Sequence, residues 1–413
     1  MAFRLDILKA NTNSEVHEAI SKTLKKYEDL LPASKGAKVL LKPNMNSNMN
    51  ALTGNTTDLR LVASTIACLK DRGYADITIA EGTNSGFYRN GISVISRLSY
   101  DSLAKYYGVK ILDLNYSKKV DVDFEGHVAA GVARECVEAE LFINMPKIKT
   151  HFEAGMTVCL KNMMGCLVGQ ENKKKTHGNL ALNIININRR LRPHLHIVDG
   201  LISMEGLGPT RGTPVKTGVI LMGTDPYLID LACSAIATFD WRKVRTLKAA
   251  SDKGLLTKEH HAFVNALDLT SVARRFKEPK ANAFASFIHS PKRQRHFLKI
   301  RNTALFNYLC STRSFGHLLF KTGLRQDNFI KDEMDFKGFD FKKELCRQGC
   351  TKCADYCPIG LRLPEDVANE KNGCIGCQYC MLVCPTNAIV FKGVLGFLAE
   401  QIRQYDKITR QIA

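Results

Sequence analysis

Eight of the fourteen cysteines in this chain lie between Cys346 and Pro385. They read Cys346-x3-Cys350-x2-Cys353-x3-Cys357-Pro358 and then Cys374-x2-Cys377-x2-Cys380-x3-Cys384-Pro385. The second half is the full C-x2-C-x2-C-x3-C-P run by which thiolates hold a [4Fe–4S] cubane, and its fourth cysteine serves the neighbouring cluster. If the pairing is crossed, one cluster takes Cys346, Cys350, Cys353 and Cys384, and the other takes Cys374, Cys377, Cys380 and Cys357. Two zinc sites would also consume eight cysteines, but structural zinc favours C-x2-C knuckles with longer spacers. A disulfide framework suits small secreted domains, and a chain of 413 residues needs no such staples.

A second group of chemically capable residues lies upstream, at the ends of short apolar runs. Val39–Leu41 leads into Lys42-Pro43-Asn44, and Ile77–Ala80 into Glu81-Gly82. Leu141–Met145 leads into Pro146-Lys147-Ile148-Lys149-Thr150-His151, His196–Val198 into Asp199-Gly200, and Val219–Met222 into Gly223-Thr224-Asp225-Pro226. Such runs are buried strands of a parallel sheet. Ligands bind open sheets outside the carboxyl ends of the strands. Lysines beside a helix N-terminus attract anions, so the junction at 146–165, with Lys161 and Asn162 in a helix expected over 153–165, points to a carboxylate- or phosphate-bearing ligand. The expected binding residues are Lys42, Asn44, Lys147, Lys161, Asn162, Asp199 and Asp225, with His151, Lys149 and Glu81 as the catalytic candidates. His151 is the natural proton donor, because imidazole titrates near neutral pH. Each residue also has a plain structural reading: Lys42 a solvated cation, Glu81 a loop cap, Asp225 a helix cap beside Pro226.

These residues must be positioned by alternating strands and helices over 1–240, an α/β domain with a mainly parallel sheet and flanking helices. Helices are expected near 14–30, 58–72, 99–107 and 178–192. The Gly-rich stretch 199–209 lacks both the dinucleotide fingerprint and the P-loop lysine, and reads as a mobile flap or a tight connection. Residues 241–340 form a basic helical segment with 20 Lys or Arg against 9 Asp or Glu, most of the chain's net charge of +19. A small α+β ferredoxin-like module follows over 341–395, and a C-terminal helix over 396–413.

The cysteine module resembles the bacterial two-cluster ferredoxin domain. It departs in its first run, where Arg347, Gln348 and Gly349 separate two cysteines that the pattern spaces by two residues. The Leu41-Lys42-Pro43-Asn44, Pro146–His151, Lys161-Asn162-Met163-Met164-Gly165, Val198-Asp199-Gly200 and Gly223–Pro226 stretches together resemble the DUF362 family, whose members are often fused to such a module. The resemblance implies the architecture and the place of the site, and adds little about the reaction.

The combined expectation is a cytoplasmic iron–sulfur oxidoreductase. Two [4Fe–4S] clusters would relay electrons from a redox partner protein to a small anionic substrate at the strand ends. The alternatives are a ferredoxin-type carrier or activator docking a partner protein, and a membrane-surface or nucleic-acid binder using the basic segment. No RNA- or DNA-binding motif supports nucleic acid. No apolar run is long enough to span a bilayer, and the N-terminus lacks the pattern of a signal peptide.

Overall fold

The computed structural model describes residues 3–124, 128–176, 179–279, 303–312, 334–368 and 373–412, together with 314, 315 and 318. Much of the basic segment, including 280–302, lies outside the described residues.

The strands are β1 (Leu5–Lys9), β2 (Val39–Pro43), β3 (Ile77–Glu81), β4 (Lys110–Asp113), β5 (Lys119–Phe124), β6 (Val128–Ala133), β7 (Leu141–Met145), β8 (Lys147–His151), β9 (Gly155–Thr157), β10 (Leu195–Glu205), β11 (Thr213–Gly223), β12 (Met334–Phe341) and β13 (Ile389–Leu395). The main sheet runs β1-β11-β10-β7-β2-β3-β4, with β8 paired to β10 and β9 to β8. Strands β10, β7, β2, β3 and β4 are parallel. β11 is antiparallel to both β10 and β1. The sheet is therefore mixed but mainly parallel, as expected for an α/β domain.

Side-chain alternation explains why the central strands read as continuous apolar runs. Leu41, Ile143 and Ile197 enter one core beneath the helices Asn13–Leu24 and Leu59–Asp71. Leu40 and Phe142 enter another on the opposite face, while Val198 and Leu221 pack under the helix Pro226–Ile236. Both faces are covered, so no polar alternation is needed.

The cysteine module is clamped by the antiparallel β12–β13 pair. Its apolar residues Phe339, Tyr356, Ile375, Tyr379 and Leu382 join the same core as Leu41 and Ile143, as does Leu398 of the closing helix Gly396–Ile412. The module is thus packed on the α/β domain by a continuous apolar core, and more than a linker holds it there.

Three local expectations are corrected. Residues 153–165 are not one helix: β9 is followed by a single turn at Cys159–Asn162 and a 3-10 turn at Met163–Cys166. The lysines at 147–149 therefore stand on a strand, with no helix N-terminus at that junction. Of the stretch 199–209, residues 206–209 begin the short connection from β10 to β11, but residues 199–205 are neither flap nor connection. They are the buried second half of β10, kinked by a register shift between Gly200 and Ile202, which carries the strand past β7 to pair with β8.

Candidate functional site

The expected strand-end residues come together, but as a sealed and internally paired cluster. Lys42, Lys147 and Lys149 are all 0% exposed. Lys42 donates to both Glu81 oxygens, at 2.9 and 3.0 Å, and the Met45 N–H reaches the same carboxylate at 3.3 Å. Burial raises the Glu81 pKa, and the Lys42 charge holds it down only in part. Gly165 lies against this pair, where an added Cβ would stand 1.8 Å from Glu81 Oε1 and 2.8 Å from Lys42 Nζ. No side chain fits there.

Lys149 donates to Asn44 Oδ1 at 2.9 Å and to the Asn55 carbonyl at 2.7 Å. Asn44 Nδ2 donates to Asn162 Oδ1 (2.8 Å), Asn162 Nδ2 to Asn144 Oδ1 (2.7 Å), and Asn144 Nδ2 meets His196 Nδ1 at 3.1 Å. Three asparagine amides therefore point the same way between an ammonium and an imidazole. Burial pushes the His196 pKa down to about 3, so the ring is neutral, and its Nε2 has no hydrogen-bond partner among the described residues.

Lys147 pairs with Asp199 at 2.8 Å, both side chains fully buried. Asp199 Oδ2 also accepts the Asp58 N–H at 2.6 Å, and Oδ1 accepts that of Leu201 at 3.0 Å. Burial raises the Asp199 pKa against the pull of Lys147. Burial opposes ionisation of Asp58 too, but Arg60, gripping it through Nε (3.0 Å) and Nη2 (2.7 Å), outweighs that and leaves the carboxyl below its usual range. The Arg60 guanidinium lies 4.2 Å from the ring centroid of Tyr356, inside the cysteine module.

The segment 44–60 makes most of these connections. It crosses the carboxyl ends of the strands almost entirely buried. Asn50 donates to the Cys377 carbonyl at 3.0 Å, and the Leu59 N–H to the Tyr379 hydroxyl at 3.0 Å. Ser99 adds a bond to the Gly376 carbonyl at 3.1 Å. Sequence reasoning missed Asn50, Asp58, Arg60, Asn144, His196 and Lys173. Lys173 donates to the carbonyls of Gly82 and Thr83 and to Asn115, and burial brings its pKa down to about 8. For Asp58, the capping position before an apolar run was the one legible signal.

The other candidates are placed apart. His151 accepts the N–H groups of Glu153 and Ala154 through Nδ1, at 3.1 and 3.2 Å, and stacks on Phe152. Lys161 is partly exposed, with no hydrogen bond to its ammonium among the described residues. Burial lowers its pKa, against the attraction of Glu153. Asp225 sits at the opposite edge of the sheet, because β11 runs antiparallel to its neighbour. There it caps the helix Pro226–Ile236 through the Tyr227 and Leu228 N–H groups, and meets His260 at 3.1 Å.

In the module the eight thiols are free and fall into two sets. Cys346 senses Cys384 and Cys350, and Cys353 senses Cys350 and Cys384. Cys377 and Cys380 each sense Cys357 and Cys374; Cys380 also feels Cys353, so the sets are neighbours. Burial, then mutual repulsion, lifts the Cys377 and Cys380 thiols well above their ordinary pKa. A hollow is lined by Cys357, Cys374, Cys377 and Cys380 with apolar Phe339 and Ile375. Backbone N–H groups point at the sulfurs of Cys357, Cys374 and Cys384, at 3.2 to 3.5 Å. Among the described residues no three His, Cys, Asp or Glu side chains converge on a single metal ion. Spread thiolates, an apolar wall and N–H donors to sulfur suit a [4Fe–4S] cluster.

Comparison with known proteins agrees. Residues 39–235 match a family described as a domain of unknown function, DUF362, and residues 370–390 match a 4Fe-4S binding domain. A thylakoid-associated protein of Synechocystis sp. is 26% identical over 236 residues, covering 53% of this chain and 69% of that protein. Among solved structures, the lactate racemase apoprotein from Thermoanaerobacterium thermosaccharolyticum shows 10% identity and a TM-score of 0.35, with 56% of each chain covered. A protein from Thermotoga maritima shows 14% identity and a TM-score of 0.31, with 56% of this chain and 61% of that one covered. Likenesses that distant say nothing about chemistry.

Proposed function

Because the chain belongs to the DUF362 family and carries a 4Fe–4S binding domain with an iron–sulfur electron-transfer role, we propose that it is an iron–sulfur oxidoreductase. On this reading it binds two clusters and acts on a small carboxylate- or phosphate-bearing substrate at the strand ends of the α/β domain. The observation that carries the reading is the junction between the two parts. Tyr356 and Tyr379, beside the Cys357 set, touch Arg60 and Leu59; Arg60 pairs with Asp58, the Asp58 N–H donates to Asp199, and Asp199 pairs with Lys147.

When bound, a [4Fe–4S] cluster supplies electrons singly and at low potential. The residues of the chain then have separate tasks. The buried pairs Lys42–Glu81 and Lys147–Asp199 keep charge fixed in a water-poor region, where it acts strongly. Glu81, with its raised pKa, holds a proton more readily than an exposed carboxylate does. Lys161, partly exposed and with no hydrogen bond to its ammonium among the described residues, is the proposed grip on the substrate anion. His151 and Lys149 stand on the adjoining strand, with His151 as proton donor.

Anaerobic purification with an iron count and mass spectrometry of retained small molecules tests this. About eight irons per chain match two cubanes. Lys161→Ala should lose the retained anion with iron unchanged. A variant that keeps both ligand and turnover sinks the strand-end site.

A second reading is peripheral membrane contact. The helix Ala304–Ser311 exposes Leu305 and Tyr308, each 69%, it follows the Lys- and Arg-rich run 292–301 in sequence, and the Synechocystis relative is thylakoid-associated. Sedimentation with anionic vesicles that persists in Leu305→Ser/Tyr308→Ser would dismiss it.

A further inference from the structure

The first cysteine run exceeds the second by one residue, and that residue shapes a surface. Arg347-Gln348-Gly349 bridges Cys346 to Cys350 in a turn closed by the Cys350 N–H on the Arg347 carbonyl at 3.2 Å. Gly349 adopts φ +75° with open space around it, so the backbone conformation, not crowding, calls for glycine. The turn leaves Arg347 exposed. Just before it, the single turn Lys343–Leu345 is closed by the Leu345 N–H on Lys342 and the Cys346 N–H on Lys343. Lys342 and Lys343 are exposed there, and Leu345 is 43% exposed. None of these three cations has a side-chain partner among the described residues, and Glu344 is the one carboxylate in the turn.

This rim surrounds Cys346 and Cys350, which are themselves partly exposed. The contacts with the α/β domain gather at the other set, through Tyr356, Gly376, Cys377 and Tyr379. The Cys346 set thus carries the cationic rim and the Cys357 set the contacts with the α/β domain, although Cys374 of that second set is exposed as well.

We propose that Lys342, Lys343, Leu345 and Arg347 form the docking face for an acidic one-electron carrier protein, which exchanges electrons at the Cys346 set while the Cys357 set faces the α/β domain. The inference rests on the iron–sulfur reading. An exposed leucine ringed by cations suits a small transient interface, whose charges set encounter rate and orientation. One electron leaves the carrier and one is gained by the module; no bond forms or breaks.

Calorimetry on the full, iron-loaded chain with an oxidised acidic [2Fe–2S] ferredoxin as probe tests it. The dissociation constant should weaken at least ~10-fold between low ionic strength and ~0.3 M salt. Lys342→Glu/Lys343→Glu/Arg347→Glu should weaken it ~10- to 100-fold at low salt and flatten the salt dependence. Lys248→Glu/Lys258→Glu, on helices packed over the other core, should change it less than about twofold. Should the triple variant lose iron, Lys343→Ala/Arg347→Ala should shift binding the same way by a smaller factor. Unchanged binding in the rim variants overturns the proposal, as does equal weakening in the control pair. So does loss of anionic-vesicle binding in the triple variant with carrier affinity intact. Binding needs no substrate, so failure here leaves the oxidoreductase reading standing, and absent turnover leaves the docking face standing.

Discussion

Replacing Lys147 by methionine removes one partner of a fully buried ion pair while keeping much of the side-chain volume. Asp199 would retain two backbone donors, the N–H groups of Asp58 and Leu201, but would face the Asp58 carboxylate without a neutralising ammonium. Breaking such a pair from one side costs ~3–5 kcal/mol, and the surviving donors put the expected loss near ~3 kcal/mol. The double change Lys147→Met/Asp199→Asn removes both charges and keeps an acceptor for the Asp58 N–H, so it should cost only ~1–2 kcal/mol. Urea unfolding followed by Trp241, the single tryptophan, measures both. The pH dependence gives an independent check. The Asp199 pKa is already raised on folding, and losing Lys147 raises it further. A folded state that binds more protons loses stability as pH rises from the unfolded value through the folded one. The single variant should therefore lose more stability between pH 5 and pH 8 than the wild type does, and the double variant no more than the wild type. A single variant costing under ~1 kcal/mol, or a double variant costing more than the single, would refute the reasoning.

Gly165→Ala should separate Lys42 from Glu81, because the new Cβ takes the space of the carboxylate. A loss of ~2–4 kcal/mol in the same urea assay is expected, and a neutral result would mean the loop yields freely. Asp230, held by the Cys159 and Leu160 N–H groups, has its pKa pushed up to about 7 by burial. It should cost stability progressively from pH 4 to 7, up to about 4 kcal/mol, and Asp230→Asn should remove that slope in a pH series of melting curves. Removing iron by chelation should raise hydrogen exchange in residues 50–60 as well as in the module, since Asn50 and Leu59 bond to it; exchange confined to 346–385 would contradict the shared core.

Lys42, Glu81, Lys147 and Asp199 were legible because a parallel sheet gathers its carboxyl ends at one edge, so a charged residue after an apolar run is informative. Asp225 obeys the same local pattern and lies elsewhere, because strand direction is a property of pairing and leaves no mark in the strand's own residues. The 4Fe-4S binding domain was legible because its cysteine spacing is local. The loop at 44–60 was not. Its asparagines, serines and threonines look like solvent-exposed turns, and only distant partners on the strand ends and in the module turn them into buried hydrogen-bond partners. The helix expected at 153–165 failed for a related reason: β9 borrows its edge from β8, and pairing overrode a helical pattern.

The three amides between Lys149 and His196 form a row with a fixed sense. An amide row has two self-consistent settings, every group donating forward or every group donating backward, and one reversed member would set oxygen against oxygen. An ammonium can only donate, so Lys149 latches the row in the forward setting, and the last amide in turn obliges His196 to carry its proton on Nε2. The tautomer of a histidine on β10 is thus decided by a proton on β8, four side chains away. Any chemistry that took that proton from Lys149 would be felt at His196 without either residue moving.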